Sequence, residues 1–215
     1  TLLNISKIMK KGIIDHLDYP VSTGKEANVF KATTPSGSAV AVKIYKIETS
    51  PFFRKLDYII GDPRFKRIKW SEKELVIAFA RKEFSNLRCC ERATIPAPKP
   101  LFLVGNVLVM SFLGDNKVPF PTLAEVVCEE RHLISILENM RKLYKSGLVH
   151  ADLSEYNIMI GNDGTTYFID FGQGVVLAHP KAREFLERDL SNIINFFKKF
   201  GFSRDFEKEL EKIIS

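Results

Sequence analysis

Long apolar runs are missing from this chain. Nowhere in its 215 residues do about 18 consecutive apolar side chains occur, so no membrane-crossing helix is predicted. No basic-then-apolar leader opens the sequence, and the expectation is a soluble, intracellular, cytoplasmic protein with no membrane partner. Cysteine is scarce. Cys89, Cys90 and Cys128 are odd in number and two are adjacent, which argues against a disulfide framework or a metal cluster and for reduced thiols in or near the core. The turn from Ser22 to Asn28 holds a single glycine, so it is neither the G-x-G-x-x-G loop of ordinary protein kinases nor the Walker pattern G-x-x-x-x-G-K-[ST]. Ala-Pro-Glu is absent as well, and with it the segment through which ordinary protein kinases hold peptides.

What remains is an ordinary globular composition, 45% hydrophobic and 27% charged, long enough for a substantial core in one two-lobed unit. Lys and Arg number 32 against 26 Asp and Glu, a net +6 that favours polyanionic partners such as nucleotide or RNA; a solvated basic surface is the plainer reading.

The most informative stretch is Val149-His150-Ala151-Asp152-Leu153-Ser154-Glu155-Tyr156-Asn157, followed by Ile169-Asp170-Phe171-Gly172. Asp152 and Asn157 are five apart, and Asp170 follows a short apolar run, Tyr167 to Ile169, that reads as a buried strand. This is the order of a phosphoryl-transfer centre. Asp152 would accept a hydroxyl proton, while the Asn157 amide and the Asp170 carboxylate would hold Mg²⁺, which prefers oxygen ligands and takes the rest from phosphates and water. An Asp and an Asn five apart also suit caps and turns, so the distant elements must decide. His150 reads as a brace for this loop, with a general base as the alternative.

Along the chain, residues 1–17 carry apolar residues at helical spacing and predict a short helix before the first sheet. Pro20 to Phe30 reads as strand, polar turn, strand, and Ala39 to Tyr45 as a β-branched strand bearing Lys43. A lysine in such a strand needs an anion, and nucleotide phosphates together with Glu83 would supply it. Residues 51–69 read as an irregular loop with a basic cluster, Arg64, Lys66, Arg67 and Lys69. Ser71, with Glu74 three later, matches a capping box that opens a helix through about Cys90. Ser71 is also a candidate autophosphorylation site.

Leu101 to Val104 and Val107 to Gly114 form a hairpin about Gly105-Asn106. Its end would offer the Ser111 carbonyl and the Leu113 N–H to an adenine edge, with Met110 behind. Beyond Pro121 the chain reads as mainly helical: one helix ending at Gly147, one from Pro180 to about Arg188, another over Leu190 to Phe200, and a last near Phe206 to Ile214.

Five stretches, S-T-G-K-E-A-N-V-F from Ser22, A-V-K-I-Y from Ala41, K-E-F-S-N-L from Lys82, L-V-H-A-D-L-S-E-Y-N-I from Leu148 and I-D-F-G-Q-G-V from Ile169, resemble the RIO family of atypical serine/threonine kinases. They are most similar to its first subgroup in archaeal form. The resemblance implies an α+β, bilobal, protein-kinase-like fold: an N-terminal helix over 1–17, a mainly β lobe with a long helix over 18–114, and a mainly α lobe over 115–215. It also implies ATP with Mg²⁺ or Mn²⁺, autophosphorylation, and a role in late maturation of the small ribosomal subunit on a particle of rRNA and ribosomal proteins. A monomer is expected. Carried onto this chain, Asp152 is the proton acceptor, Lys43 contacts phosphates, Asn157 and Asp170 hold metal, and Asp170 is the candidate aspartyl-phosphate of an ATPase switch. Ser22, Thr23, Gly24, Lys25, Glu26, Ala27, Asn28 and Val29 are expected to cradle the nucleotide, with Glu83, Met110, Ser111 and Leu113. The linker between Pro121 and Leu133 reads as shorter than the family's, and no extended tail follows the last helix. Two other readings stand beside this one: a small-molecule kinase of the aminoglycoside or choline type, and a nucleotide-gated scaffold binding rRNA through segments such as 64–69.

Overall fold

Five strands of the first half build one antiparallel sheet: β1 (His16–Thr23), β2 (Ala27–Thr33), β3 (Ala39–Tyr45), β4 (Pro100–Val104) and β5 (Val107–Ser111), in spatial order β1-β2-β3-β5-β4. The computed structural model describes residues 1–47, 51–65, 71–115 and 117–215, with the backbone alone for 51–54. Side chains alternate across the sheet. Val40 and Val42 of β3 join Val107 and Val109 on one face, where Ile8 and Ile14 cover them. Ala41 points to the other face with Leu108 and Met110, and the same alternation sends Lys43 to that side, opposite Val29 and Leu108 in the ladder. Ile8 belongs to α1 (Leu2–Lys10), shorter than the sequence suggests because Gly12 turns the chain with φ +67. β5 likewise ends at Ser111, three residues before Gly114.

The long helix α2 (Glu72–Arg92) starts where expected, with Ser71 Oγ accepting from Glu74 N at 3.3 Å. Its buried stripe is not wholly apolar: Lys82, Glu83 and Asn86 sit among Leu75, Phe79, Leu87 and Cys90. Ahead of it, the segment read as an irregular loop instead forms 3-10 turns at Pro51–Tyr58 and Pro63–Phe65. Ile59 and Asp62 are buried there, since the Asp62 carboxylate takes both the backbone N–H and the guanidinium of Arg64. Lys66, Arg67 and Lys69 of the basic cluster lie outside the described residues.

The second half is helical around two short ribbons. α3 (Glu130–Lys145) leads into β6 (Leu148–Val149), which pairs with β9 (Val175–Val176), while β7 (Ile158–Ile160) pairs with β8 (Thr166–Phe168). The two helices expected between Pro180 and Phe200 are one, α4 (Ala182–Lys198). No glycine or proline interrupts it, and Phe185, Leu186, Leu190, Ile193 and Phe197 make one continuous buried stripe. α5 (Phe206–Ile214) closes against α3 and α4. Cys89, Cys90 and Cys128 are free thiols, and no helix among the described residues is long and apolar enough to cross a membrane.

Burial decides which truncations matter. Phe197 is fully enclosed while Val127 is exposed. Phe197→Ala is expected to cost about 3–5 kcal/mol in chemical denaturation, and Val127→Ala under about 0.5 kcal/mol.

Candidate active site

The loop between β6 and β7 is held from three sides. His150, 1% exposed, donates from Nε2 to the Ile169 carbonyl at 2.9 Å and packs against the Phe171 ring in a tilted arrangement, centroids 4.7 Å apart. Burial lowers its pKa to about 4, so the imidazole is neutral, and the bond to Ile169 makes it a brace of the loop. Ala151 follows in the left-handed region at φ +65, unfavourable for a residue with a Cβ. Asp189 of α4 fixes it there. Its carboxylate accepts from Ala151 N at 2.7 Å and Leu153 N at 2.9 Å, while Arg188 donates to the Ala151 carbonyl. Burial pushes the Asp189 carboxyl up to about 7, against those two bonds.

Thus held, the loop presents Asp152, whose Oδ2 accepts from Gln173 Nε2 at 2.5 Å. Burial pushes its carboxyl up to about 6, with the Lys55 charge opposing and Asp170 adding. Asn157, in a 3-10 turn at Glu155–Asn157, donates from Nδ2 to the Asp152 carbonyl at 2.7 Å. That bond commits its amide nitrogen to the loop backbone.

Across from this loop lies Asp170, also left-handed at φ +63. Lys43 Nζ stands 2.9 Å from its Oδ1 and 2.8 Å from Glu83 Oε2, and the Tyr45 hydroxyl donates to Glu83. Lys43 is 6% and Glu83 1% exposed, whereas half of the Asp170 side chain is open, and that opening is to the cleft. Burial disfavours the Lys43 ammonium, but Asp170 and Glu83 outweigh it and hold its pKa above the ordinary lysine value. Burial likewise works against ionised Asp170, and Lys43 prevails, keeping the carboxyl below its usual range. α2 adds two more ties on the same face. Lys82 donates to the carbonyls of Tyr58 at 2.5 Å and Gln173 at 3.0 Å, and Asn86 to those of Phe171 at 2.9 Å and Gly174 at 2.8 Å.

These groups converge on a cleft of about 620 Å³ between the sheet and the helical half. Of the residues expected there, Ser22, Gly24, Lys25, Glu26, Ala27, Val29, Lys43, Glu83, Met110, Ser111, Leu113, Asp152, Asn157 and Asp170 line it. Thr23 and Asn28 do not. They pair with each other across the β1–β2 ladder, one register step from Ser22 and Val29, and alternation turns them from the cleft. Gln173, Asp189, Lys82, Asn86 and Lys55 were not singled out from the sequence. The one signal for Asp189 was a carboxylate inside an apolar helical stripe.

The donor set suits a divalent cation bound with a nucleotide. One buried lysine faces two carboxylates, an excess of negative charge, and among the described residues only Oδ1 of Asp170 is engaged. No group of three or more His, Cys, Asp or Glu side chains forms a cage among the described residues, so such an ion would need phosphates and water to complete its shell.

Asp189→Ala would strand two buried N–H groups, each worth about 1–3 kcal/mol, and release a strained Ala151. A melting temperature clearly below that of the native protein is the expected result, with Asp189→Asn falling between them.

The RIO domain family model matches residues 28–210. A RIO-type serine/threonine-protein kinase Rio1 from Haloferax volcanii is 45% identical over 207 residues, 95% of this chain and 71% of the relative. Its namesake from Thermoplasma acidophilum is 43% identical over 185 residues, 86% of this chain and 98% of the relative. The human serine/threonine-protein kinase RIO1 is 38% identical over the whole chain, which spans only 39% of that protein. The Rio2 kinase of Chaetomium thermophilum, solved as an ADP/Mg²⁺-phosphoaspartate complex, shares the fold with a TM-score of 0.75 at 20% identity, over 99% of this chain and 66% of that one. A domain match across most of the sequence and relatives at this identity place the chain in the RIO family.

Proposed function

We propose that this RIO-family serine/threonine kinase transfers the γ-phosphoryl group of ATP, with Mg²⁺ or Mn²⁺ held by Asn157 and Asp170. The observation that carries the reading is the placement of Asp152 and Asn157 across one cleft from a lysine bridging Glu83 and Asp170. Lys43 would meet the phosphates, its ammonium kept charged and its position kept by Glu83. Met110, Ser111 and Leu113 would hold the base, and the turn around Gly24 the phosphates. Asp152 would take the proton of the attacking hydroxyl, whose oxygen bonds to phosphorus as ADP leaves. The bound metal would neutralise charge on the phosphate oxygens.

A second reading concerns the acceptor. Asp170 opens half its side chain to the cleft and has one oxygen not engaged by Lys43, which supports it as the acceptor of an aspartyl-phosphate in an ATPase cycle. Biologically, the family resemblance supports a cytoplasmic role in late small-subunit maturation, and the net +6 charge supports contact with rRNA.

Single-turnover reaction with γ-labelled ATP tests the chemistry: Asp152→Ala should be slower by about 10²-fold or more. Label that hydroxylamine removes and that Asp170→Ala abolishes would mark an acyl phosphate; acid-stable label dependent on Asp152 would mark a hydroxyl acceptor. Because the Asp152 carboxyl titrates at about 6 and must be ionised to accept a proton, kcat/KM should fall about tenfold per pH unit below that value. Gln173→Leu removes a hydrogen bond to the ionised form and should move that limb upward.

A further inference from the structure

Glu26 is out of place in a phosphate-binding turn. It lies between β1 and β2 and lines the cleft, where its carboxylate would repel a nucleotide's phosphate tail. Its side-chain partner is Lys55, whose Nζ is 2.5 Å from Glu26 Oε1. Lys55 also lines the cleft, yet it comes from the 3-10 stretch Pro51–Tyr58 and not from the sheet.

That stretch is anchored. The Tyr58 ring stacks on Phe185 of α4 at 4.9 Å, its carbonyl takes the Lys82 ammonium of α2, and Asp57 pairs with Lys181 at 2.7 Å. Lys55 stands one 3-10 turn from this anchor, at a kink where the backbone leaves helical geometry (φ −111, ψ 17). The turn bearing Glu26 is secured by its backbone, through Lys46 N to the Glu26 carbonyl at 2.8 Å and Lys46 Nζ to the Gly24 carbonyl at 2.7 Å. The ion pair can therefore open without dismantling either segment. Lys55 and Glu26 are 24% and 33% exposed, and an ion pair that solvent partly reaches is weaker than the contact a polyanion would offer the lysine.

Charge supply points the same way. Lys43 already answers to two carboxylates, so the negative charge that spreads over the departing phosphoryl oxygens calls for another cation. Lys55 lies on the reacting side of the cleft: it is the strongest positive influence on Asp152 and acts on Asp170 too.

We propose that Lys55 is a binding residue for the terminal phosphate of the triphosphate, parked on Glu26 in the nucleotide-free protein and handed to phosphate oxygens when the nucleotide enters. This rests on the ATP reading above and names a residue for the group it transfers. A diphosphate lacks the contact, which makes the assignment measurable.

Calorimetric titration of the whole protein with Mg²⁺ and either β,γ-imido-ATP or ADP tests it in the native chain, Lys55→Met, Lys55→Arg and Glu26→Gln. Lys55→Met should weaken the triphosphate analogue about tenfold and ADP less than about twofold, the scale of one charge-assisted hydrogen bond. Lys55→Arg should restore most of the loss, and Glu26→Gln should bind the analogue at least as tightly as the native chain. Equal effects of Lys55→Met on both nucleotides, no effect on either, or matching losses in Glu26→Gln would overturn the proposal and leave the ATP reading standing. If the native chain bound neither nucleotide, the ATP reading would fall and this assignment with it.

Discussion

A single ammonium group between two carboxylates organises this molecule. Lys43 comes from the sheet, Glu83 from α2 and Asp170 from the segment after β8, so the contact is made only when three distant stretches meet. Its partners lie 40 and 127 residues away in the chain. Burying Lys43 or Glu83 alone would be costly; buried together, with Asp170 meeting the lysine from the cleft, they satisfy one another. The arrangement makes α2 a strut between the sheet and the helical half, and Lys82 and Asn86 extend that strut to the carbonyls of Phe171, Gln173 and Gly174.

The opposite wall of the cleft follows a related logic with a different anchor. Of the three non-glycine residues in left-handed backbone among the described residues, Thr94, Ala151 and Asp170, the last two belong to the segments that bound the cleft. Such strain persists only where surroundings overdetermine it. Around Ala151 those surroundings are the Asp189 carboxylate and the Arg188 guanidinium; around Asp170 they are Lys43 and the His150 bond to the neighbouring Ile169 carbonyl. The consequence is a loop held by bonds to its backbone, with Asn157 tied to the Asp152 carbonyl.

Much of this was readable beforehand, for identifiable reasons. Asp152, Asn157 and Asp170 stand out because an Asp, an Asn and a second Asp in that order suit a phosphoryl-transfer centre. Lys43 stands out because a lone charge in a β-branched strand requires an explanation, and Glu83 was the acid nearest the middle of a helix able to give one. Thr23 and Asn28 were misplaced because a continuous motif hides the alternation of a strand, which turns every second side chain from the cleft. The break expected between Arg188 and Leu190 is absent, since Asp189 stays helical while its carboxylate accepts from the Ala151 and Leu153 N–H groups. Residues 51–65 looked irregular since their turns depend on Asp62–Arg64 and Tyr58–Phe185 contacts, which have no local periodicity.

Local chemistry and spacing were therefore sufficient for the strand and helix types and the lysine's need for a counter-charge, because these depend on residue type and short-range geometry; the kind of reaction centre was read only from five distant stretches taken together. The supporting set, Gln173, Asp189, Lys82 and Asn86, and the pairing of Lys55 with Glu26 emerged only in three dimensions. Each is a polar group whose purpose is defined by a partner at least 21 residues away, and a one-dimensional pattern carries no record of which distant groups will meet.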